Sequence, residues 1–143
     1  MANYTGGCLC GAIRFEVNGE PIREAMCHCD DCRRVTGSAF ATNIFFKTED
    51  IVITKGTPKE FQHKADSGNT MTKGFCENCG SQIFTESSGS GGAAKGIKIG
   101  AFDDVKNLRP KVELFISRHL PFIKLSDETE HYEQGLTPPT QQK

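Results

Sequence analysis

Seven cysteines in three tight groups constrain this chain more than any other feature of its sequence. Cys8 and Cys10 form a C-x-C, Cys27, Cys29 and Cys32 a C-x-C-x-x-C, and Cys76 and Cys79 a C-x-x-C. An odd number excludes a complete set of intramolecular disulfides. Residues 1–7 carry neither a basic n-region nor an apolar h-region, so secretion has no support there. The expected compartment is the reducing cytoplasm, where cysteine clusters are more often metal ligands or redox centres than disulfides.

Each group lies beside glycine or at the end of a predicted strand, where the backbone can turn to aim two thiolates at one ion. Zinc takes four tetrahedral ligands, with Zn–S near about 2.3 Å. Two pairs far apart in sequence can close one such site, and Cys8, Cys10, Cys76 and Cys79 make a set of four. Cys27, Cys29 and Cys32 remain, and three ligands do not complete a tetrahedron. Structural zinc sites are closed, whereas catalytic ones keep three protein ligands and an open position. Four plus three therefore reads as a structural zinc and a second zinc with a free coordination place, two ions per chain. The open place could bind a thiolate, activate a water or polarise a carbonyl, and soft thiolates suit zinc, ahead of Cu(I) or iron. Three other readings stay open. The cysteines could be buried and redox-active thiols without metal. One zinc could be shared by Cys27, Cys29, Cys76 and Cys79. The second zinc could be completed by a histidine, His28 inside the motif or His63, His119 or His131 outside it, making both sites structural.

Two weaker candidates flank the three-cysteine group. Three thiolates and a divalent ion carry one net negative charge. Arg33 and Arg34 directly follow Cys32 and could soften that charge or bind a substrate carboxylate; the alternative is a pair of solvated arginines. Gly37-Ser38-Ala39-Phe40 comes next. The amides of Gly37 and Ser38 could donate towards a ligand on the open position, or Ser38 could cap a turn. Phe40, Phe45 and Phe46 read as core or pocket wall, and Asp103 as a structural residue at a strand end.

The periodicity is that of strands. Residues 12–17 alternate, with Ile13, Phe15 and Val17 on one face, and Asn18-Gly19 reads as a turn. Further strands are predicted over 39–46, 50–54, 59–63, 71–75, 82–85, 95–101 and 111–117, with a break at Gly56-Thr57-Pro58 and a short turn of helix over 31–35. Residues 87–94 read as a flexible loop. Strands at this spacing suggest an all-β sandwich or folded-over barrel. A chain of 143 residues suits one domain: residues 1–125, followed by a polar tail over 126–143 that frays at its end. With a net charge of -1 and no basic block, nucleic acid and anionic membranes are not expected partners. No window approaches 18 apolar residues, so no membrane-spanning helix is expected.

Longer motifs surround the cysteines: Gly7-Cys8-Leu9-Cys10-Gly11-Ala12, then Cys27-His28-Cys29-Asp30-Asp31-Cys32-Arg33-Arg34 with Gly37-Ser38-Ala39-Phe40, then Phe75-Cys76-Glu77-Asn78-Cys79-Gly80-Ser81, and Ile99-Gly100-Ala101-Phe102-Asp103-Asp104. On these residues the chain resembles the glutathione-dependent formaldehyde-activating enzyme family, also called the CENP-V/GFA domain, over residues 5–124. Where family members commonly carry a C-terminal tryptophan, this chain has Phe115 or Phe122. The resemblance implies a mainly β, single-domain β-tent fold, with coiled sheets folded around zinc. It implies a structural zinc on Cys8, Cys10, Cys76 and Cys79, and a catalytic zinc on Cys27, Cys29 and Cys32. It also implies union of glutathione with formaldehyde to S-hydroxymethylglutathione. The expected function is a zinc-dependent carbon–sulfur lyase acting on a thiol adduct, with a small thiol or aldehyde as partner and glutathione as co-substrate. The alternatives are a zinc-stabilised binding module without catalysis, and the same chemistry on a substrate other than formaldehyde.

Overall fold

Alternating β-branched and aromatic residues favour pleated, half-buried backbone, and strands dominate the computed structural model, which describes residues 2–136. In chain order they are β1 (Tyr4–Gly7), β2 (Arg14–Val17), β3 (Arg23–Cys27), β4 (Ala41–Lys47), β5 (Ile51–Lys55), β6 (Lys59–Lys64), β7 (Thr70–Phe75), β8 (Gln82–Ser87), β9 (Ala94–Lys98), β10 (Val112–Leu114) and β11 (Glu130–His131). One α-helix, α1 (Asp30–Thr36), interrupts them. β1, β2 and β5 form a three-stranded antiparallel sheet in the order β1-β2-β5. The other eight form one sheet in the order β11-β10-β3-β4-β9-β8-β7-β6, antiparallel except that β10 runs parallel to both β3 and β11. The chain is thus mainly β and forms a single domain. No helix among the described residues is long and apolar enough to cross a membrane.

The larger core lies between the two sheets. Ile13, Phe15 and Val17 bury against Ile44, Phe46, Ile83, Phe84, Ile97 and Phe102. Phe15 meets Phe102 edge to face at 5.5 Å, an arrangement favoured by the ring quadrupoles. β4 divides the molecule. Ile44 and Phe46 face this core, while Ala41 and Asn43 are buried on the opposite face. There Ala41 joins Cys27 and Cys32 in a second, smaller cluster, with Cys29, Leu114 and Phe115 packed against it. Asp103 is structural, as its position suggested: Arg14 pairs with it, and the Thr5 hydroxyl donates to it at 2.7 Å.

Several local expectations change. β1 and β3 were not predicted, and the strands expected over 95–101 and 111–117 each end early in a 3-10 turn, Ile99–Ala101 and Ile116–Arg118. The expected flexible loop over 87–94 is instead the end of β8, a 3-10 turn at Ser88–Ser90 and a left-handed pair, Gly91 and Gly92. Within the polar segment from Ser126, β11 pairs with β10, and the Gln134 carbonyl accepts from the Phe115 amide at 2.9 Å. The fraying expected at the end of that segment falls on residues 137–143, outside the described residues.

Candidate metal centres

Chain reversal brings four thiols together at one end of the two sheets. Cys8 directly follows β1 and opens a tight turn in which the Gly11 amide donates to the Cys8 carbonyl at 3.2 Å. Cys76 directly follows β7, and the Gly80 amide donates to the Cys76 carbonyl at 2.7 Å. Gly80 sits at φ 78°, a left-handed conformation that glycine adopts without penalty. The sulfur atoms of Cys8, Cys10, Cys76 and Cys79 all lie within 4.8 Å of one another. Cys8 and Cys10 are 3.6 Å apart, and Cys10 and Cys76 3.8 Å. Four sulfurs at about 2.3 Å from a central ion form a tetrahedron with edges of about 3.8 Å, so the spacing fits a thiolate-bound cation. Donors already face the sulfurs: the Ile13 amide to Cys8 at 3.2 Å, and the Asn78 side-chain amide to Cys10 at 3.3 Å. The Ser81 hydroxyl, helped by the Ser81 and Cys10 amides, lowers the Cys79 thiol to about 5.

The second group is built by a strand end and a helix start. Cys27 closes β3, Cys29 is the N-cap of α1, and Cys32 lies in its first turn. The Cys29 sulfur accepts from the Cys32 amide at 3.3 Å, replacing the oxygen that usually caps a helix. All three sulfurs lie within 4.8 Å of one another; Cys27 and Cys32 are buried and Cys29 half-buried. Hydrogen bonds from the Cys27 and Cys32 thiols, with the Cys32 and Asp31 amides, hold Cys29 down at about 2. Hydrogen bonding to Cys29 and Cys32, together with burial, pushes Cys27 up. Cys32 settles at about 11: the Cys27 thiol lowers it, but Cys29 and burial outweigh that effect. Burial and the neighbouring sulfurs favour protons on Cys27 and Cys32, and a bound divalent ion would displace them.

The two groups are separate, which removes the arrangement of one ion shared by Cys27, Cys29, Cys76 and Cys79. Among the described residues no histidine joins either group. His63 lies 4.0 Å from Asp31, His119 bonds the Ile116 carbonyl, and His131 bonds the Ser126 carbonyl. The Gly37 amide donates to the Arg33 carbonyl at 3.0 Å, closing α1, and the Ser38 amide donates to the Thr36 hydroxyl at 3.2 Å. Both amides thus donate within the helix end rather than towards a ligand. Ser38 is exposed. Arg33 lies 4.0 Å from Asp30, and Arg33, Arg34 and Ser38 line an open cleft with Leu120 and Phe122.

His28 and Glu113 are a feature that sequence reasoning missed. Both are fully buried, and His28 Nε2 donates to Glu113 Oε1 at 2.8 Å. The His28 ring also packs against Phe40 at 5.1 Å. Glu113 accepts in addition from the Ser126 amide at 2.8 Å and the Thr129 hydroxyl at 2.6 Å. The pair fixes the backbone between Cys27 and Cys29 against β10. Burial works to raise the Glu113 carboxyl, but Thr129, His28 and the Ser126 amide together bring it below its ordinary value. A depressed carboxylate contributes stability that is present above its unfolded value of about 4.3 and is lost as pH falls through the lower folded value. Glu113→Ala is expected to cost about 3–5 kcal/mol, since it strands a buried partner. Urea denaturation at pH 7 checks this, and the difference between variant and parent should shrink in acid.

Comparison with known proteins extends these observations. The chain is 31% identical over 84 residues to an uncharacterised lyase of Schizosaccharomyces pombe, a match that covers 59% of this chain and 58% of that relative. A crystal structure of a Rhodobacter sphaeroides protein shares the fold, with a TM-score of 0.57 and 22% identity over 72% of this chain and 91% of the other. The family model described as glutathione-dependent formaldehyde-activating enzyme matches residues 3–118, which include all seven cysteines. On that match the chain belongs to the glutathione-dependent formaldehyde-activating enzyme family.

Proposed function

We propose that this chain is a zinc-dependent carbon–sulfur lyase of the β-tent fold. It would act in the reducing cytoplasm on the adduct of a thiol with a small aldehyde, as S-(hydroxymethyl)glutathione synthases do. The observation that carries this reading is the division of seven thiols into a closed group of four and a group of three. Cys8, Cys10, Cys76 and Cys79 would hold a structural zinc, and Cys27, Cys29 and Cys32 a second one. Bound at three thiolates, zinc supplies Lewis acidity that lowers the pKa of an incoming thiol or polarises a carbonyl. The family match and the lyase relative support this class of chemistry.

In the addition, a carbon–sulfur bond forms between the thiol sulfur and the aldehyde carbon. The carbonyl π bond breaks, and the thiol proton ends on the new hydroxyl oxygen. The reverse reaction is the lyase direction. The chain's part is mainly to place the two reactants together, since holding them in reacting geometry removes much of the entropic barrier. Leu114 and Phe115 pack against the three-cysteine group and shield it from water. Phe115 takes a left-handed φ of 54°, rare for a non-glycine residue and a kind of strain that clusters at functional sites.

The test is incubation of the zinc-loaded protein with glutathione and a panel of aldehydes, followed by mass spectrometry of the adducts. The expected result is accelerated formation of the formaldehyde adduct, a gain of 30 Da by the formula of formaldehyde. Binding of glutathione without acceleration for any aldehyde would instead mark a binding module.

A further inference from the structure

Strand register places an unusual set of side chains on the face that carries the three thiols. Directly opposed residues of neighbouring strands point to the same face. Cys27 opposes Ala41, Asn43 opposes Lys98, Gly96 opposes Thr85, and Thr85 opposes Lys73. Since alternate residues of one strand share a face, Cys27, Asn43, Lys98, Thr85 and Lys73 form one polar row across β3, β4, β9, β8 and β7. The apolar core occupies the other face.

Two of these residues are lysines that water barely reaches: Lys73 is 3% exposed and Lys98 7%. Lysine is almost never buried this far without an opposite charge. Yet Lys98 Nζ donates only to the Asn43 carbonyl oxygen, at 2.9 Å, and Lys73 Nζ only to the Thr85 hydroxyl, at 2.8 Å, among the described residues. Both acceptors are neutral. The lysines that pair with carboxylates, Lys59, Lys106 and Lys111, lie elsewhere. An ammonium has three donors, so each of these two keeps two for another acceptor. Burial lowers Lys98 to about 8, the Cys32, Cys27 and Cys29 sulfurs work to raise it, and Lys73 adds to the lowering. In the strand order Lys98 on β9 stands between Cys27 on β3 and Lys73 on β7. Three thiolates with a divalent ion carry one negative charge, and two ammoniums carry two positive charges. The row is therefore one negative charge short of neutrality, in a place where unpaired charge is costly.

We infer that Lys98 and Lys73 form an anion-receiving subsite on the sheet face that carries the three-thiol centre, Lys98 two strands from Cys27 and Lys73 four, and that it takes a carboxylate of the substrate. The word substrate rests on the proposed activity; the affinity for a carboxylate does not. The subsite differs from the Arg33 and Arg34 position considered from sequence, because Arg33 already faces Asp30 at the rim. A carboxylate would accept the spare donors of both ammoniums and supply the missing charge, in a setting where charge-assisted hydrogen bonds are strongest.

The test is calorimetric titration of the zinc-loaded full chain with 3-mercaptopropionate, its methyl ester and propionate. On the unmodified protein the acid is expected to bind at least about tenfold more tightly than the ester, the value of one charge-assisted hydrogen bond. Propionate, which has no thiol, is expected to bind measurably. Lys98→Met should remove the preference for acid over ester while leaving the ester within about twofold, and should weaken propionate about tenfold. Lys73→Met should act in the same direction. If acid and ester bind the unmodified protein equally, or Lys98→Met keeps the preference, the subsite is overturned even though thiols bind. If no thiol binds but propionate does so in a Lys98-dependent way, the subsite stands and the proposed activity fails.

Discussion

Cys76→Ser is expected to abolish cooperative folding. Cys76 is buried, and its thiol belongs to the group that ties the β1–β2 turn to the β7–β8 turn, and so the small sheet to the large one. A closed thiolate site contributes on the order of 10–16 kcal/mol of apparent metal-binding free energy at neutral pH, whereas a whole domain is stable by only about 5–15 kcal/mol. Loss of one ligand therefore removes a quantity comparable to the total. Circular dichroism during heating should show no sigmoidal transition for the variant. A strong chelator should produce the same state in the parent protein, and added zinc should reverse it. A variant that melts cooperatively near the parent temperature would mean that the four thiols do not hold a structural ion.

Cys29→Ser is expected to do the opposite: to leave the fold and remove the activity. Cys29 is the N-cap of α1, and serine is among the best N-cap residues. The backbone geometry at that position therefore survives the change, and the melting temperature should move by only a few degrees. The chemistry should not survive. Two sulfurs remain in place of three, so the metal content should fall from two ions to one. Adduct formation should slow by about 100-fold or more, because Lewis acidity at such a site is worth several kcal/mol. Together the two variants separate a structural centre from a reactive one. If Cys29→Ser unfolds the chain as completely as Cys76→Ser, the second group is structural as well.

How much of this was legible in sequence depended on the range of the interaction. β2 and β4 show themselves because apolar residues recur on one side of the pleat, and β6 because the break at Gly56-Thr57-Pro58 marks it as a return strand. β3 does not, because its inward-facing charge inverts the pattern: Glu24 is buried and pairs with Lys111 at 3.0 Å. β1 is concealed by Gly6 and Gly7, which carry no side chain to count, and β11 is too short for any period. The three-thiol group is local, so its spacing alone exposed it. The four-thiol group joins residues 66 or more positions apart, yet coordination number was enough to assemble it. The lysine row had no such rule. A single lysine within a strand, as in Met71-Thr72-Lys73 or Ile97-Lys98-Ile99, reads as the solvent side. Only the position of that strand inside an eight-stranded sheet reveals that both faces are covered. His28 escaped for a similar reason, since its partner Glu113 lies 85 residues away on a strand of three.

The proposed function stands on seven thiols dividing into a closed four and an open three. X-ray absorption at the zinc edge, combined with metal analysis of the full chain, tests it most directly. The account predicts two zinc ions per chain and a mean of about 3.5 sulfur ligands per ion, the remaining position being filled by a lighter atom that an added thiol replaces with sulfur. One zinc per chain, or a second ion whose fourth ligand is a histidine nitrogen that added thiol leaves in place, would contradict it.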